Sequence, residues 1–101
     1  MSPTRVRTHP GEVLREEYLK PLGMSSNALA RAIRVTPNRI TAVVSDHAPR
    51  AVTPDTALRL ARYFRTTPEF WLNMQSAYDL SVARQEIGAT VEAEVQPGFS
   101  L

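Results

Sequence analysis

The sequence predicts an all-α domain built from five helices. Thr-Pro pairs at residues 36–37, 53–54 and 67–68 each place a hydroxyl side chain at a helix N-cap and a proline at the first helical position. After each pair, apolar residues recur at the spacing of one helix face. The chain has 101 residues, of which 43% are hydrophobic, and this is enough for one domain with a modest core.

Each of the five helices has its own start signal. The first is expected to begin at residues 9–12, with His9 as its cap, and to stop at Pro21 and Gly23. Ser25 or Ser26 caps the second helix, and the remaining three follow the Thr-Pro pairs. The predicted inner faces contain Val13, Leu14 and Tyr18, then Leu29, Ala30 and Ile33, then Ile40, Val43 and Val44, then Ala57, Leu58, Ala61 and Phe64.

Residues 26–45 have the pattern of a helix-turn-helix. Two short amphipathic helices flank a tight turn, and Ala30 is small where two crossing helices approach closely. In such a unit the second helix lies in the DNA major groove. A purely structural helical hairpin is the alternative interpretation. The capped second helix and its outer face of Asn38, Arg39 and Thr41 favour DNA binding.

Ten residues around this unit are candidates for contact with DNA. The N-terminus of the second helix offers N–H groups to a phosphate, although its serines also serve as caps. Asn38 can bond bidentately to adenine, and Arg39 can read guanine or bind a phosphate, with plain solvent exposure as the alternative. Arg34 and Arg50 suit backbone contacts. The candidates are Ser25, Ser26, Asn27, Arg34, Thr36, Asn38, Arg39, Thr41, Ala42 and Arg50.

The fifth helix carries an apolar stripe of Phe70, Trp71, Met74 and Tyr78. The favoured role of this stripe is hydrophobic core shared with the fourth helix. The alternative places part of it in a dimer or partner interface, where aromatic side chains are common.

Three segments are expected. Residues 1–8 form a flexible arm, residues 9–87 form the helix-turn-helix domain with a helical extension over residues 79–87, and residues 88–101 form a short tail. Residues 90–95 alternate polar and apolar side chains, which is the period of a strand. The tail is therefore expected to be disordered or to form a strand on dimerisation.

Composition narrows the function classes. Residues 1–65 contain eleven Lys and Arg and five acids, a net charge of +6, whereas residues 66–101 contain Arg84 and five acids, a net charge of −4. The basic part of the chain, residues 1–65, suits binding to a polyanion, and the acidic part, residues 66–101, suits binding to a basic partner. The chain has no cysteine, no membrane-length apolar run and no apolar stretch in its first ten residues, so we expect a cytoplasmic protein.

Catalysis is not expected. His9 and His47 are the only histidines, Asp46 beside His47 has no third partner at a recognisable spacing, and there is no glycine-rich phosphate loop. No metal or cofactor is expected either.

Several stretches resemble HigA-type antitoxins, a group within the XRE family of regulators. The stretches are His-Pro-Gly-Glu-Val-Leu-Arg-Glu-Glu-Tyr-Leu at 9–19, Ala-Leu-Ala-Arg-Ala-Ile at 28–33, Thr-Ala-Leu-Arg-Leu-Ala-Arg-Tyr-Phe at 56–64 and Pro-Glu-Phe-Trp-Leu-Asn-Met-Gln at 68–75. The resemblance implies a lambda-repressor-like helix-turn-helix fold and a homodimer that represses its own operon. It also implies neutralisation of a HigB-type toxin, an RNA-cleaving protein of the RelE-like class.

A dimer would place two recognition helices about 34 Å apart, so the operator is expected to be palindromic. The sequence departs from the family pattern at Arg34, where glycine is usual, and in a longer loop at residues 46–49. Two rival functions stay open: a stand-alone XRE regulator without a toxin, and an interaction module that has lost DNA binding.

Overall fold

The computed structural model describes residues 5–99, and this range contains five helices. The first, α1, covers residues 10–22; it is followed by α2 at Ser26–Ile33, α3 at Pro37–Val44, α4 at Pro54–Phe64 and α5 at Pro68–Glu94. Within residues 5–99 the regular structure is entirely helical. The predicted all-α class and the number of helices are confirmed, and α2 and α3 are the two helices of the predicted helix-turn-helix.

Most of the predicted caps form hydrogen bonds. The side chains of Ser25, Thr53 and Thr67 accept from the backbone N–H three residues ahead, at 3.0, 3.3 and 3.1 Å. Ser25 rather than Ser26 is thus the cap of α2. Thr36 has the extended backbone of an N-cap, but its side chain makes no capping hydrogen bond. The prediction that the Thr36 hydroxyl forms a capping hydrogen bond is therefore wrong, although α3 does begin at Pro37.

α1 is irregular in its middle. It consists of Pro10–Val13, a π-helical segment Leu14–Leu19, and Lys20–Leu22. Lys20 donates its backbone N–H to the Arg15 carbonyl, five residues back. Pro21 follows the π-helical segment, near the start of the α-helical segment Lys20–Leu22, where a proline is tolerated. Pro21 therefore does not stop the helix as predicted. Gly23 does so, with a left-handed φ of 60°.

The core lies where all five helices meet. Trp71, Leu14, Leu29, Ile40 and Leu60 are each 0% exposed and come one from each helix. Gln75 is the buried polar residue that joins α5 to the loop before α4, because its Oε1 accepts the Val52 N–H at 2.8 Å. The buried apolar set is Leu14, Leu19, Leu29, Ala30, Ile33, Ile40, Val43, Val52, Ala57, Leu60, Ala61 and Trp71.

α5 continues beyond the predicted boundary. Its 27 residues run to Glu94, so residues 88–94, which we expected to be a disordered or strand-forming tail, are helical. Alanine and glutamate in this segment are strong helix formers, and adding turns to an existing helix avoids the cost of nucleation. The strand prediction is wrong because six alternating residues are too few to outweigh these two effects. Residues 95–99 have no regular secondary structure.

The start of the described chain lies against α5. The Arg7 N–H donates to the Ser81 hydroxyl at 2.9 Å. This part of the predicted flexible arm is therefore bound to the domain, and residues 1–4 lie outside the described residues. Among residues 5–99, none of the helices has the length and apolar character that crossing a membrane requires.

Candidate nucleic-acid interface

The outer side of α3 is exposed. Asn38, Arg39 and Thr41 are exposed and Ala42 is half-buried, whereas Ile40 and Val43 on the other side are 0% and 2% exposed. The Thr41 hydroxyl donates back to the carbonyls of its own helix, at 3.2 Å to Pro37 and 3.3 Å to Asn38. The accessible polar side that DNA binding requires is therefore present on α3.

A groove of about 770 Å³ runs beside α3. One wall is α3 itself, and the other is the loop after it together with the start of α4. The Arg50 N–H donates to the Ala42 carbonyl at 2.9 Å, so this loop is attached to α3. The groove is lined by Asn38, Arg39, Thr41, Ala42, Val43, Ser45, Arg50, Ala51, Thr53, Asp55 and Thr56.

α1 fixes the C-terminal end of α3. A Cβ atom at Gly11 would overlap the Val43 carbonyl oxygen, so the two backbones touch at a point that only glycine allows. The Arg15 guanidinium donates to the Val44 carbonyl at the end of the helix. Sequence reasoning missed both positioning residues. Gly11 was visible only as the third residue of the His-Pro-Gly-Glu motif.

The turn between α2 and α3 passes through Arg34 in the left-handed conformation, with φ 65° and ψ 45°. The Arg34 N–H donates to the Arg31 carbonyl at 3.3 Å, and the Val35 N–H to the Ala30 carbonyl at 2.9 Å. These two bonds close α2 in the manner of a helix that ends at glycine. The expectation that Arg34 occupies a glycine position is confirmed.

The N-terminus of α2 lies at the surface. Ser25 and Asn27 are exposed and Ser26 is half-buried. The Ser25 hydroxyl already accepts the Ala28 N–H at 3.0 Å, which is the capping role. The role of these three residues in binding a phosphate stays a prediction, as do the DNA contacts of the other seven candidates.

An ion-pair network connects α3, α4 and the turn, and sequence reasoning missed it. Asp55 Oδ1 lies 2.7 Å from Arg39 Nη1 and 2.7 Å from Arg59 Nε. Arg59 Nη1 also donates to the carbonyls of Ile33 at 2.9 Å and Arg34 at 3.4 Å. Hydrogen bonds from Arg59 and Arg39 hold the pKa of Asp55 below its ordinary value. An acid four residues before an arginine on a predicted helix was the available signal for one half of this network.

The apolar stripe of α5 divides between core and surface. Trp71 is fully buried and donates its Nε1–H to the Thr66 hydroxyl at 2.8 Å, so it has no surface to offer a partner. Met74 is half-buried against the core, and Tyr78 stacks edge-on against His9 with the ring centres 4.8 Å apart. Phe70 keeps 39% of its surface exposed. The interface alternative is thus wrong for Trp71 and stays a prediction for the others.

The described part of the chain contains no cluster of side chains that could bind a metal ion. Between residues 5 and 99 no three His, Cys, Asp or Glu side chains lie close enough together to hold a metal ion. His47 is exposed in the loop after α3, and His9 is buried at the cap of α1.

The chain is similar in sequence to known helix-turn-helix proteins. A family model described as helix-turn-helix matches residues 16–71. Virulence-associated protein I of Dichelobacter nodosus is 58% identical over 78 residues, which cover 77% of this chain and 70% of that protein.

Two solved structures extend the similarity to the whole fold. An addiction module antidote protein of a HigA family from Coxiella burnetii is 48% identical, with a TM-score of 0.84 over 92% of this chain and 99% of that one. The Pseudomonas aeruginosa antitoxin HigA, solved with the higBA promoter, is 40% identical, with a TM-score of 0.86 over 94% of this chain and 100% of that one. The chain therefore belongs to the XRE-type helix-turn-helix family, in the group that contains the HigA antitoxins.

Proposed function

We propose that this protein is the antitoxin of a type II toxin-antitoxin system. It binds palindromic operator DNA as a homodimer, represses the operon that encodes it, and neutralises a HigB/RelE-like RNA-cleaving toxin. The observation that carries the proposal is the exposed Asn38, Arg39 and Thr41 side of α3, held in place by Gly11, Arg15 and the loop at Arg50. The similar Pseudomonas antitoxin is bound to promoter DNA, which supports the same ligand here.

The proposed DNA contacts divide into two kinds. Asn38 and Thr41 lie on the outer side of α3 and would meet base edges in the major groove. Arg34 lies in the turn before α3 and Arg50 in the loop after it. Both would contact phosphates, which fixes position without reading sequence. The N-terminus of α2 at Ser25, Ser26 and Asn27 would bind a further phosphate.

The distal part of α5 is the surface we propose for the second protomer. Leu80, Ile87 and Val91 are 45 to 53% exposed and recur at spacings of seven and four residues, so they share one face of α5. A helix end that lacks tertiary packing is marginal in water on its own. Pairing with the same face of a second copy would cover these side chains.

The acidic end of the molecule suits a basic partner. Glu86, Glu92 and Glu94 are all exposed on α5. An RNA-cleaving toxin has to bind a polyanion and is expected to be basic, so the charges of the two proteins are complementary. No catalytic role is proposed for the chain, and we propose the cytoplasm as its location because its operator DNA lies there.

The test is a binding titration with a duplex taken from directly upstream of the chain's own gene, with a random duplex of equal length as reference. Replacing Asn38 by Ala removes a base contact and should cost about 1–3 kcal/mol on the operator, with little change on the random duplex. Replacing Arg50 by Ala removes a phosphate contact. It should weaken both duplexes together and reduce the log–log salt slope by about 0.9.

Binding and RNA-cleavage measurements with the product of the adjacent gene distinguish an antitoxin from a stand-alone regulator. If the adjacent product binds the chain and loses its RNA-cleaving activity, the antitoxin function is supported. If the chain binds its promoter and no neighbouring protein binds the chain, it is a stand-alone regulator. Equal affinity of the wild-type protein for both duplexes would contradict operator binding altogether.

A further inference from the structure

We propose that Asp55 determines how strongly this protein distinguishes its operator from other DNA, and that it acts by positioning Arg39. The inference rests on the proposed function, because it concerns the same DNA-binding surface. Asp55 is a positioning residue in this proposal: its carboxylate contacts Arg39, and Arg39 would contact the DNA.

The geometry that carries the inference is the shared carboxylate oxygen. Asp55 Oδ1 lies 2.7 Å from Arg39 Nη1 and 2.7 Å from Arg59 Nε. Arg39 lies on α3 and Asp55 in the first turn of α4, so the pair joins two helices across the groove. It is a contact between elements rather than the usual pair within one helix.

Arg59 holds the carboxylate in place. Its Nη1 donates to the Ile33 carbonyl at 2.9 Å, at the end of α2, while its Nε holds Asp55. The side chain of Asp55 is therefore tied through Arg59 to the turn of the helix-turn-helix. Arg39 is therefore bonded to a carboxylate, that of Asp55, whose position relative to α3 is fixed by Arg59.

Anchoring of Arg39 affects non-specific DNA binding and operator binding to different extents. Non-specific binding depends on cations that are free to reach any phosphate. Asp55 offsets the charge of Arg39 and restrains its position, so Arg39 adds little to the affinity for non-specific DNA. At the operator, a fixed guanidinium favours binding. Arg39 donates to Asp55 through Nη1, so its Nε and Nη2 donors remain available to DNA and are held in a defined position. The network thus lowers non-specific affinity more than operator affinity.

The experiment uses Asp55→Asn in the full chain, titrated against the upstream duplex and the random duplex over a range of salt concentrations. Removing the carboxylate frees one cation, so the random duplex should bind about tenfold more tightly, with a salt slope steeper by about 0.9. Operator affinity should rise by less or fall. The ratio of the two affinities should therefore fall. Asp55→Glu keeps the carboxylate and should retain most of the wild-type ratio.

Two controls test the mechanism. Asp46→Asn removes one negative charge from the exposed loop that follows α3, but Asp46 does not contact Arg39, so this variant should keep the wild-type ratio. In an Arg39→Ala background, Asp55→Asn should leave the ratio unchanged because the positioned group is gone.

Each failure has a distinct meaning. An unchanged ratio in Asp55→Asn, an equal change in Asp46→Asn, or a full effect of Asp55→Asn without Arg39 would each overturn the inference and leave operator binding intact. If wild-type protein bound both duplexes equally, the proposed function would fall, and this inference with it.

Discussion

His9 is a buried histidine that caps α1 in its neutral form. It is 6% exposed, and its Nδ1 accepts the Gly11 N–H at 2.9 Å as the cap of α1. The other nitrogen, Nε2, is buried and has no hydrogen-bond partner among residues 5–99. Protonation would turn Nδ1 into a donor and remove the cap. Burial lowers the pKa of His9, and the nearby charge of Asp79 opposes this in part.

The lowered pKa predicts that acid destabilises the protein. Below about pH 6.5, the ordinary histidine pKa, the unfolded chain binds a proton that the folded chain excludes. The free energy of unfolding should therefore be greatest above that pH and decrease as the pH falls toward the folded pKa, by at most about 1.4 kcal/mol per pH unit.

Thermal melting between pH 7.5 and 5.5 tests this, with His9→Asn as the control. Asparagine is a good N-cap that does not titrate. The charged side chains that line the cavity beside His9, those of Arg7, Glu12, Arg15 and Asp46, are unchanged in the variant. The variant should lose most of the decrease seen in wild type. An equal decrease in both proteins would assign it to other groups.

At the scale of elements, two helices end on an arginine in the left-handed conformation. Arg34 has φ 65° at the end of α2, and Arg65 has φ 61° at the end of α4. This conformation strains any side chain that has a Cβ atom, by about 1–2 kcal/mol. Glycine avoids the strain but loses more entropy on folding.

These two arginines give a matched pair of variants. Arg34→Gly and Arg65→Gly should each raise the free energy of unfolding by about 0.5–1 kcal/mol, measured by urea denaturation. Only Arg34 lies at the proposed DNA surface, because α4 places Arg65 about 15 Å from the end that contacts Arg39. Arg34→Gly should therefore also weaken DNA binding and lower the salt slope by about 0.9, whereas Arg65→Gly should not. Equal DNA binding by both variants would remove Arg34 from the proposed contacts.

The helices were predictable because their signals are local. A Thr-Pro pair or a serine cap acts within one turn, so α2, α4 and α5 begin where the sequence predicts. The packing between helices was not predictable in this way. The Gly11 contact with Val43 and the bonds of Arg59 to the carbonyls at the end of α2 join residues 25 or more positions apart. The exposed side of α3 followed from its periodicity, but the groove beside it depends on those distant contacts.

At the scale of the whole molecule, α5 is much longer than the other helices. Its 27 residues extend about 40 Å, while the longest dimension of the molecule is 50 Å. Residues 89–94 are exposed throughout, so this end of the helix projects from the packed core. The tail prediction failed here because the helix propensity of this segment and its continuity with α5 outweigh the alternation of six residues.

If a second copy covers that face, charges placed on it should separate the protomers. Ile87→Glu with Val91→Glu should give a monomer by light scattering, while the folded core keeps its melting transition. Operator affinity should fall by more than tenfold, because two half-sites on one duplex then have to be occupied independently. Gln85→Glu with Ala89→Glu adds the same charge to the opposite side of α5 and should leave a dimer. A monomeric wild-type protein, or a dimer that survives both pairs of substitutions, would contradict this interface.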